Sequence, residues 1–352
     1  MTYSLVGVAP GSNATLDFSG HYSLLEIIKN FATGQLQQDS YSGTGNGKAK
    51  RVAVLANDVP EELWTITCTA AVADGGTFSV VGSISGAQAD LTVGVLYTNA
   101  FIQLLVEDGA IDFVVSDAFV FSSTNGIRSL FETSYVGTGS GEVTDLVLLD
   151  KVTEVWTVTC SVAATDGGTF TVVGSISGAQ ADATVGTLYD NGIIQFLIND
   201  AATDFVVSDV FIFEAVSQEL PESDRWVVNR WDDSGDDHEL QIQGPGIPGV
   251  GAVYAGFKTL QSVASDYYNL AVATMEGYVF SNTFESQPKV KINTMPLWNF
   301  AIPYWLRVSP RQVTCGVNVE GLYDICQTGF YSAYYDPGQY PYPGICFASL
   351  NG

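Results

Sequence analysis

Two stretches of this chain are nearly the same text. GGTFSVVGSISGAQADLTVG runs from Gly75 to Gly94, and GGTFTVVGSISGAQADATVG runs from Gly167 to Gly186, an offset of 92. Aligned at that offset without gaps, residues 62–121 match residues 154–213 at 41 of 60 positions. The likeness continues upstream: YSGTGNG (Tyr41 to Gly47) corresponds to YVGTGSG (Tyr135 to Gly141), with two residues lost before the tryptophan. A unit of this length exceeds the roughly 20–50 residues of a solenoid repeat, so it reads as a domain duplicated in tandem.

Periodicity identifies the unit as β. In WTITCT, Trp64, Ile66 and Cys68 alternate with threonines, and WTVTCS from Trp156 repeats the pattern. Such alternation fits a strand with one buried face. FSVVGSI places Phe78, Val80 and Ile84 on one face, and Phe119 with Phe121 (Phe211 with Phe213 in the second copy) mark a last strand. Turn signals such as DGG and SGAQAD separate the runs, which predicts a small antiparallel sandwich or barrel. The crowded small residues of VVGSISG read as a turn that two copies have kept, not as a binding motif.

The expected organisation is mainly β, with two tandem modules at 41–122 and 135–216. A linker at 123–134 joins them and another at 217–225 follows. A larger aromatic-rich β-sandwich of jelly-roll type occupies 226–352. Residues 1–40 form an N-terminal attachment segment, in which Leu24, Leu25, Ile28 and Phe31 stand at helical spacing. Such a helix buries no core alone and must dock on another domain or subunit.

Composition narrows the partners. The chain of 352 residues has 13 basic against 38 acidic residues, a formal charge of −25. Phosphate backbones are bound by Lys and Arg releasing counterions, so nucleic acid is not an expected partner. No apolar run approaches the ~18 residues of a membrane span. The first basic residue is Lys29, so no positively charged secretory signal is read, and the chain is expected to be synthesised in the cytoplasm and used without export by that route.

The chemistry-bearing motifs are weak. WDDSGDDHE offers Asp232, Asp233, Asp236 and Asp237, hard oxygens that suit Ca²⁺. Set as a helix–loop–helix calcium loop from Asp232, it has Asp237 where Gly belongs and Gln243 where Glu belongs. A solvated acidic loop or an irregular Ca²⁺ site are the two readings, and no other cofactor is expected. GTGNGK (Gly43 to Lys48) resembles a phosphate loop, but Ser42 stands where its first Gly belongs, Ala49 follows the lysine, and the second copy has Glu142 in place of Lys48. The two histidines, His21 and His238, have no nucleophile or metal motif around them. No catalytic residue is assigned, and no enzyme is expected. Cys68 and Cys160 read as buried small hydrophobes. Cys315 and Cys326 face each other if a hairpin turns at Glu320–Gly321, where they stand either as a disulfide or as thiols. The aromatic FYSAYYDPGQYPYPG (Phe330 to Gly344) suits core and subunit contact, or sugar stacking.

Taken together, WTITCTAAVADGGTFSVVGSISGAQADLTVG followed by DFVVSDAFVF resembles a module of the virion structural proteins of tailed bacteriophages. SLLEIIKNFATG is similar to their short N-terminal helix. GPGIPGVGAVYAGFKT, SDYYNL, MPLWNFAIPYWLRVSPRQV and YPYPG resemble their end domain. The doubled module and the cysteines Cys315, Cys326 and Cys346 depart from that pattern. The resemblance implies a non-enzymatic, multi-copy part of a phage particle located in the virion tail, as a baseplate, tail-tip or fibre-like subunit. Its implied partners are copies of itself, other virion proteins and a host surface glycan, with no membrane insertion. A head decoration or neck-collar protein and a glycan-binding adhesin are the alternatives.

Overall fold

The computed structural model describes residues 3–9, 20–56, 59–249, 251–262, 267–297, 302–331 and 342–350. The chain is mainly β, built from antiparallel sheets and one short α-helix, Gly20–Thr33. It divides into two compact units, residues 1–126 with 219–352, and residues 127–218. The second copy of the repeat is thus a unit by itself, and the first copy shares a unit with the helix and the C-terminal sandwich.

The second copy is a sandwich of two sheets. One runs Gly126–Val136, Val210–Glu219, Glu154–Ala164, Gly167–Gly174, with the short Gly178–Ala179 and Ala183–Thr184 beside the last. The other runs Glu142–Leu148, Ile194–Asn199, Tyr189–Asp190. Trp156, Val158, Cys160, Phe170, Phe196, Phe211 and Phe213 fill the space between them and are buried, as the alternation predicts. The first copy repeats this plan, with Gln35–Ser42, Ala118–Thr124, Leu63–Val72 and Gly75–Gly82 facing Lys48–Val54, Ile102–Glu107 and Tyr97–Thr98. The segment 123–134, read from sequence as a linker, runs largely as strand, and the final strand of the second copy extends to Glu219.

One inward assignment is corrected. Ile84 is 68% exposed, because the strand ends at Gly82 and the next residues turn away. The Glu62 carboxylate holds that turn, accepting the Ile84 N–H at 2.6 Å, the Ser85 N–H at 2.8 Å and the Ser85 hydroxyl at 2.5 Å. Glu154 does the same for Ile176 and Ser177. A Cβ on Gly82 would stand 2.6 Å from the Glu62 Oε2, so the glycine is required by the carboxylate behind it. This accounts for the identical GSISG in both copies.

The C-terminal region is a sandwich of two five-stranded sheets. Val227–Asp232, Glu239–Ile247, Gly251–Ser262, Tyr267–Met275 and Lys289–Leu297 follow one another across the first. In the second, Ile302–Ser309, Gln312–Val319, Leu322–Tyr331 and Tyr342–Leu350 are also in chain order, with Tyr3–Ala9 added antiparallel to Ile302–Ser309. In both, strands that are neighbours in the chain are neighbours in the sheet, a meander order in place of the expected jelly-roll one. The buried hydroxyls of Thr274 and Thr328 meet at 2.6 Å between the sheets.

The helix lies inside its own unit. Leu24, Leu25, Ile27, Ile28, Phe31 and Ala32 are buried. Between them sits Lys29, also buried, whose Nζ donates to the Val52 carbonyl at 2.7 Å and lies 4.4 Å from the Trp231 ring centroid. One ammonium therefore links helix, first module and C-terminal sandwich. Burial lowers its pKa, against the opposing pull of Glu26 and Asp233. The helix stops at Gly34 (φ +128°), where a Cβ would come within 2.8 Å of the Thr124 carbonyl oxygen.

At one buried position the two copies differ in hydrogen bonding. Trp64 donates its indole N–H to the Ser123 hydroxyl at 3.2 Å. The equivalent of Ser123 is Ala215, and the buried Trp156 N–H has no acceptor. A hydrogen bond between buried neutral groups contributes about 1 kcal/mol, and an unmet buried donor costs about 1–3 kcal/mol. Ala215→Ser is therefore expected to stabilise the second module by about 1 kcal/mol, measured as slower amide exchange in Glu154–Ala164; unchanged exchange would contradict it.

Candidate functional site

The acidic loop lies between Val227–Asp232 and Glu239–Ile247, and its carboxylates face bases. Asp232 is 2.9 Å from the Arg51 guanidinium and 3.2 Å from that of Arg230. Asp233 accepts the Arg51 backbone N–H at 2.7 Å, and Asp237 lies 3.3 Å from the Lys258 ammonium. The Tyr22 hydroxyl donates to the Asp236 carbonyl, and the Tyr22 ring stacks on His238 with centroids 3.8 Å apart. Burial lowers the His238 pKa although three aspartates pull it up. This loop joins the helix, the first module and the C-terminal sandwich, and two of its four carboxylates, Asp232 and Asp237, are paired with cations of the chain.

The glycine loop that resembles a phosphate cradle does hold an anion, and the anion is internal. Asp117 Oδ1 accepts the Thr44 N–H at 3.1 Å, while its Oδ2 accepts the N–H of Gly45 and of Val114, each at 3.0 Å, and the Tyr41 hydroxyl at 3.1 Å. In the second copy Asp209 receives Thr138, Gly139, Val206 and Tyr135 in the same way. Burial pushes each carboxyl up, but these donors outweigh it and hold both below the usual carboxylate range. Opposite them, burial and the neighbouring Asp117 push the Tyr41 hydroxyl up to about 12. A Cβ on Gly47 would stand 2.2 Å from the Phe113 ring, which explains the glycines of YSGTGNG without any ligand.

Carboxylates also gather in threes. Asp74, Asp108 and Asp112 each offer an oxygen within 4.8 Å of the others, and Asp166, Asp200 and Asp204 do so at the same places in the second copy. Among the described residues these are the groups of three that an ion could bridge. Sequence reasoning passed over them because the first member is far along the chain from the other two. The available signal was that all three aspartates recur in both copies.

Cys315 and Cys326 are direct partners across a hairpin turning at Glu320 (φ +52°) and Gly321 (φ +87°). Both φ angles are positive, as a two-residue type I′ turn requires, so this is a hydrogen-bonded pair. Both cysteines are buried free thiols, and the hydrogen bond to Cys326 together with burial pushes the Cys315 thiol well up. Cys68 and Cys160 are buried and Cys346 is exposed.

Trp226, Trp231 and Tyr304 are core residues. Trp298 and most of the Pro-rich aromatic stretch lie outside the described residues, as does the side chain of His21. Trp305 faces outward: with Tyr323, Ile325, Arg307, Thr314 and Gly316 it lines an open apolar depression of about 510 Å³ on the second C-terminal sheet. The Trp305 and Tyr323 rings are 5.9 Å apart at 40°. No helix among the described residues is long and apolar enough to cross a membrane. No protein-family model matches the chain, and no curated protein matches it.

Two outcomes are expected. Because the folded-state pKa of Asp117 lies below its unfolded value of about 3.9, its stabilisation is complete above that pH and is lost as pH falls through the folded value. Asp117→Asn, which loses charge-assisted hydrogen bonds worth about 1.5–3 kcal/mol in total effect, should lower stability at pH 7 and flatten its fall below about pH 4; an acid-unfolding profile parallel to the parent would contradict this. Titration with a thiol reagent should find one reactive cysteine in the native chain and all five after denaturation; rapid native reaction at Cys315 or Cys326 would contradict their placement.

Proposed function

We propose that this chain is a non-enzymatic structural subunit of a tailed-bacteriophage particle, placed in the tail as a baseplate, tail-tip or fibre-like component and present in multiple copies. The sequence resemblance supports the particle, and two physical features suit the role. In each module one buried carboxylate, Asp117 or Asp209, is spent on holding the module's own loops, which suits a framework element. The single observation that carries the assembly reading is the outward apolar depression around Trp305, Tyr323 and Ile325. An open apolar face on a chain of net charge −25 is a place where a neighbouring subunit gains by covering it.

The glycan-binding adhesin is a second reading, favoured by the same Trp305–Tyr323 pair, since exposed rings of this kind stack on sugar faces.

Imaging of purified particles tests the proposal. Density for two near-identical sandwiches in the tail is expected, whereas density at the capsid or collar selects the head or neck alternative, and absence of the chain from the particle overturns the reading. Ile325→Asp, an exposed site, is expected to leave the fold intact and reduce incorporation into particles at least tenfold. Loss of polysaccharide binding by the full chain in Trp305→Ala, with incorporation unchanged, would favour the adhesin.

A further inference from the structure

The carboxylate groups at Asp74, Asp108, Asp112 and at Asp166, Asp200, Asp204 are built from equivalent parts. Asp74 sits at the tip of the hairpin joining Leu63–Val72 to Gly75–Gly82. Asp108 follows Ile102–Glu107, a strand of the opposite sheet, and Asp112 lies on the loop leading to Ala118–Thr124. The three therefore bring together one end of both sheets.

Two of the three have local duties. Asp74 takes the positive φ of its turn (+53°, with Asp166 at +50°), a conformation that Asp tolerates better than most residues. Asp112 accepts the Asp74 backbone N–H at 3.2 Å, and Asp204 that of Asp166 at 3.1 Å. Asp108 has no such duty. Both of its carboxylate oxygens are shut off from solvent and neither receives a hydrogen bond. Asp200 repeats this at Oδ2, while its Oδ1 accepts the Ala201 N–H at 2.9 Å.

A carboxylate withdrawn from water without donors is costly, and two further carboxylates close by add like-charge repulsion. A cation relieves both. The duplication points the same way: Ala73, Glu107, Gly109 and Ile111 became Thr165, Asn199, Ala201 and Thr203, yet all three aspartates are the same in both copies. Turn geometry explains Asp74 and loop stapling explains Asp112, but neither explains Asp108.

We propose that each module binds one Ca²⁺, at Asp74, Asp108 and Asp112 in the first and at Asp166, Asp200 and Asp204 in the second, fastening the hairpin tip of one sheet to the loop that leaves the other. The donors are all oxygens, which excludes a zinc-type site, and Ca²⁺ accepts irregular sets of six to eight oxygens where Mg²⁺ demands a strict octahedron. Water and loop carbonyls complete the shell. The proposal rests on the module geometry and is independent of the phage reading.

Equilibrium dialysis of the EDTA-stripped full chain against radiolabelled calcium chloride, up to millimolar concentration, tests it. Two ions per chain are expected, falling to one in Asp108→Asn and to none in Asp108→Asn/Asp200→Asn, while Asp232→Asn in the acidic loop keeps two. Calcium should also slow amide exchange at the hairpin tips around Asp74 and Asp166 in the parent chain. A stoichiometry other than two for the parent, or binding that survives the double substitution, overturns the proposal, and the parent stoichiometry stands whatever the variants do.

Discussion

In each module the fold turns on one buried carboxylate. Asp117 collects three backbone N–H groups and a tyrosine hydroxyl from two separate loops, and Asp209 collects the equivalent four. Backbone donors removed from water need a partner, and a carboxylate can serve several at once. Where the glycine loop closes over Phe113, its Thr44 and Gly45 N–H groups end on Asp117. An anion cradle that is filled by the chain itself is a structural device, and this is the physical basis for reading the repeat as framework.

The same economy of polar groups organises the first unit. The helix enters an apolar environment with a lysine on its buried side, and the Val52 carbonyl and the Trp231 ring accept that cation. Around it, Arg51, Arg230 and Lys258 face the aspartates of the 232–237 loop. The sequence has few basic residues, and these three are committed to internal pairs, while Trp305 and its neighbours form one apolar depression on the surface.

Much of the fold was legible in the residues. The alternation of Trp64, Ile66 and Cys68 and the pairing of Cys315 with Cys326 follow from a period of two and a two-residue turn, which are local rules. The failures have a common origin in long-range contacts. Ile84 looked inward because alternation was extended past Gly82, whereas Glu62, distant in sequence, ends the strand. Tyr3–Ala9 found its partner in Ile302–Ser309, and Lys29 was hidden within an apolar helical stripe by groups from two other segments. The acidic run at 232–237 is dense in sequence, and the fold brings Arg51, Arg230 and Lys258 to two of its aspartates. The three-aspartate groups are dispersed in sequence and only the fold assembles them.

The most direct test of this account is the ionisation of Asp117 and Asp209 themselves. Carbonyl-labelled aspartate followed by NMR in the full chain, titrated from neutral pH downward, should show two carboxyls that remain charged well below the usual aspartate value of about 3.9. If both instead titrate at or above that value, the loop N–H groups are not gathered on them, and the framework reading of the modules fails.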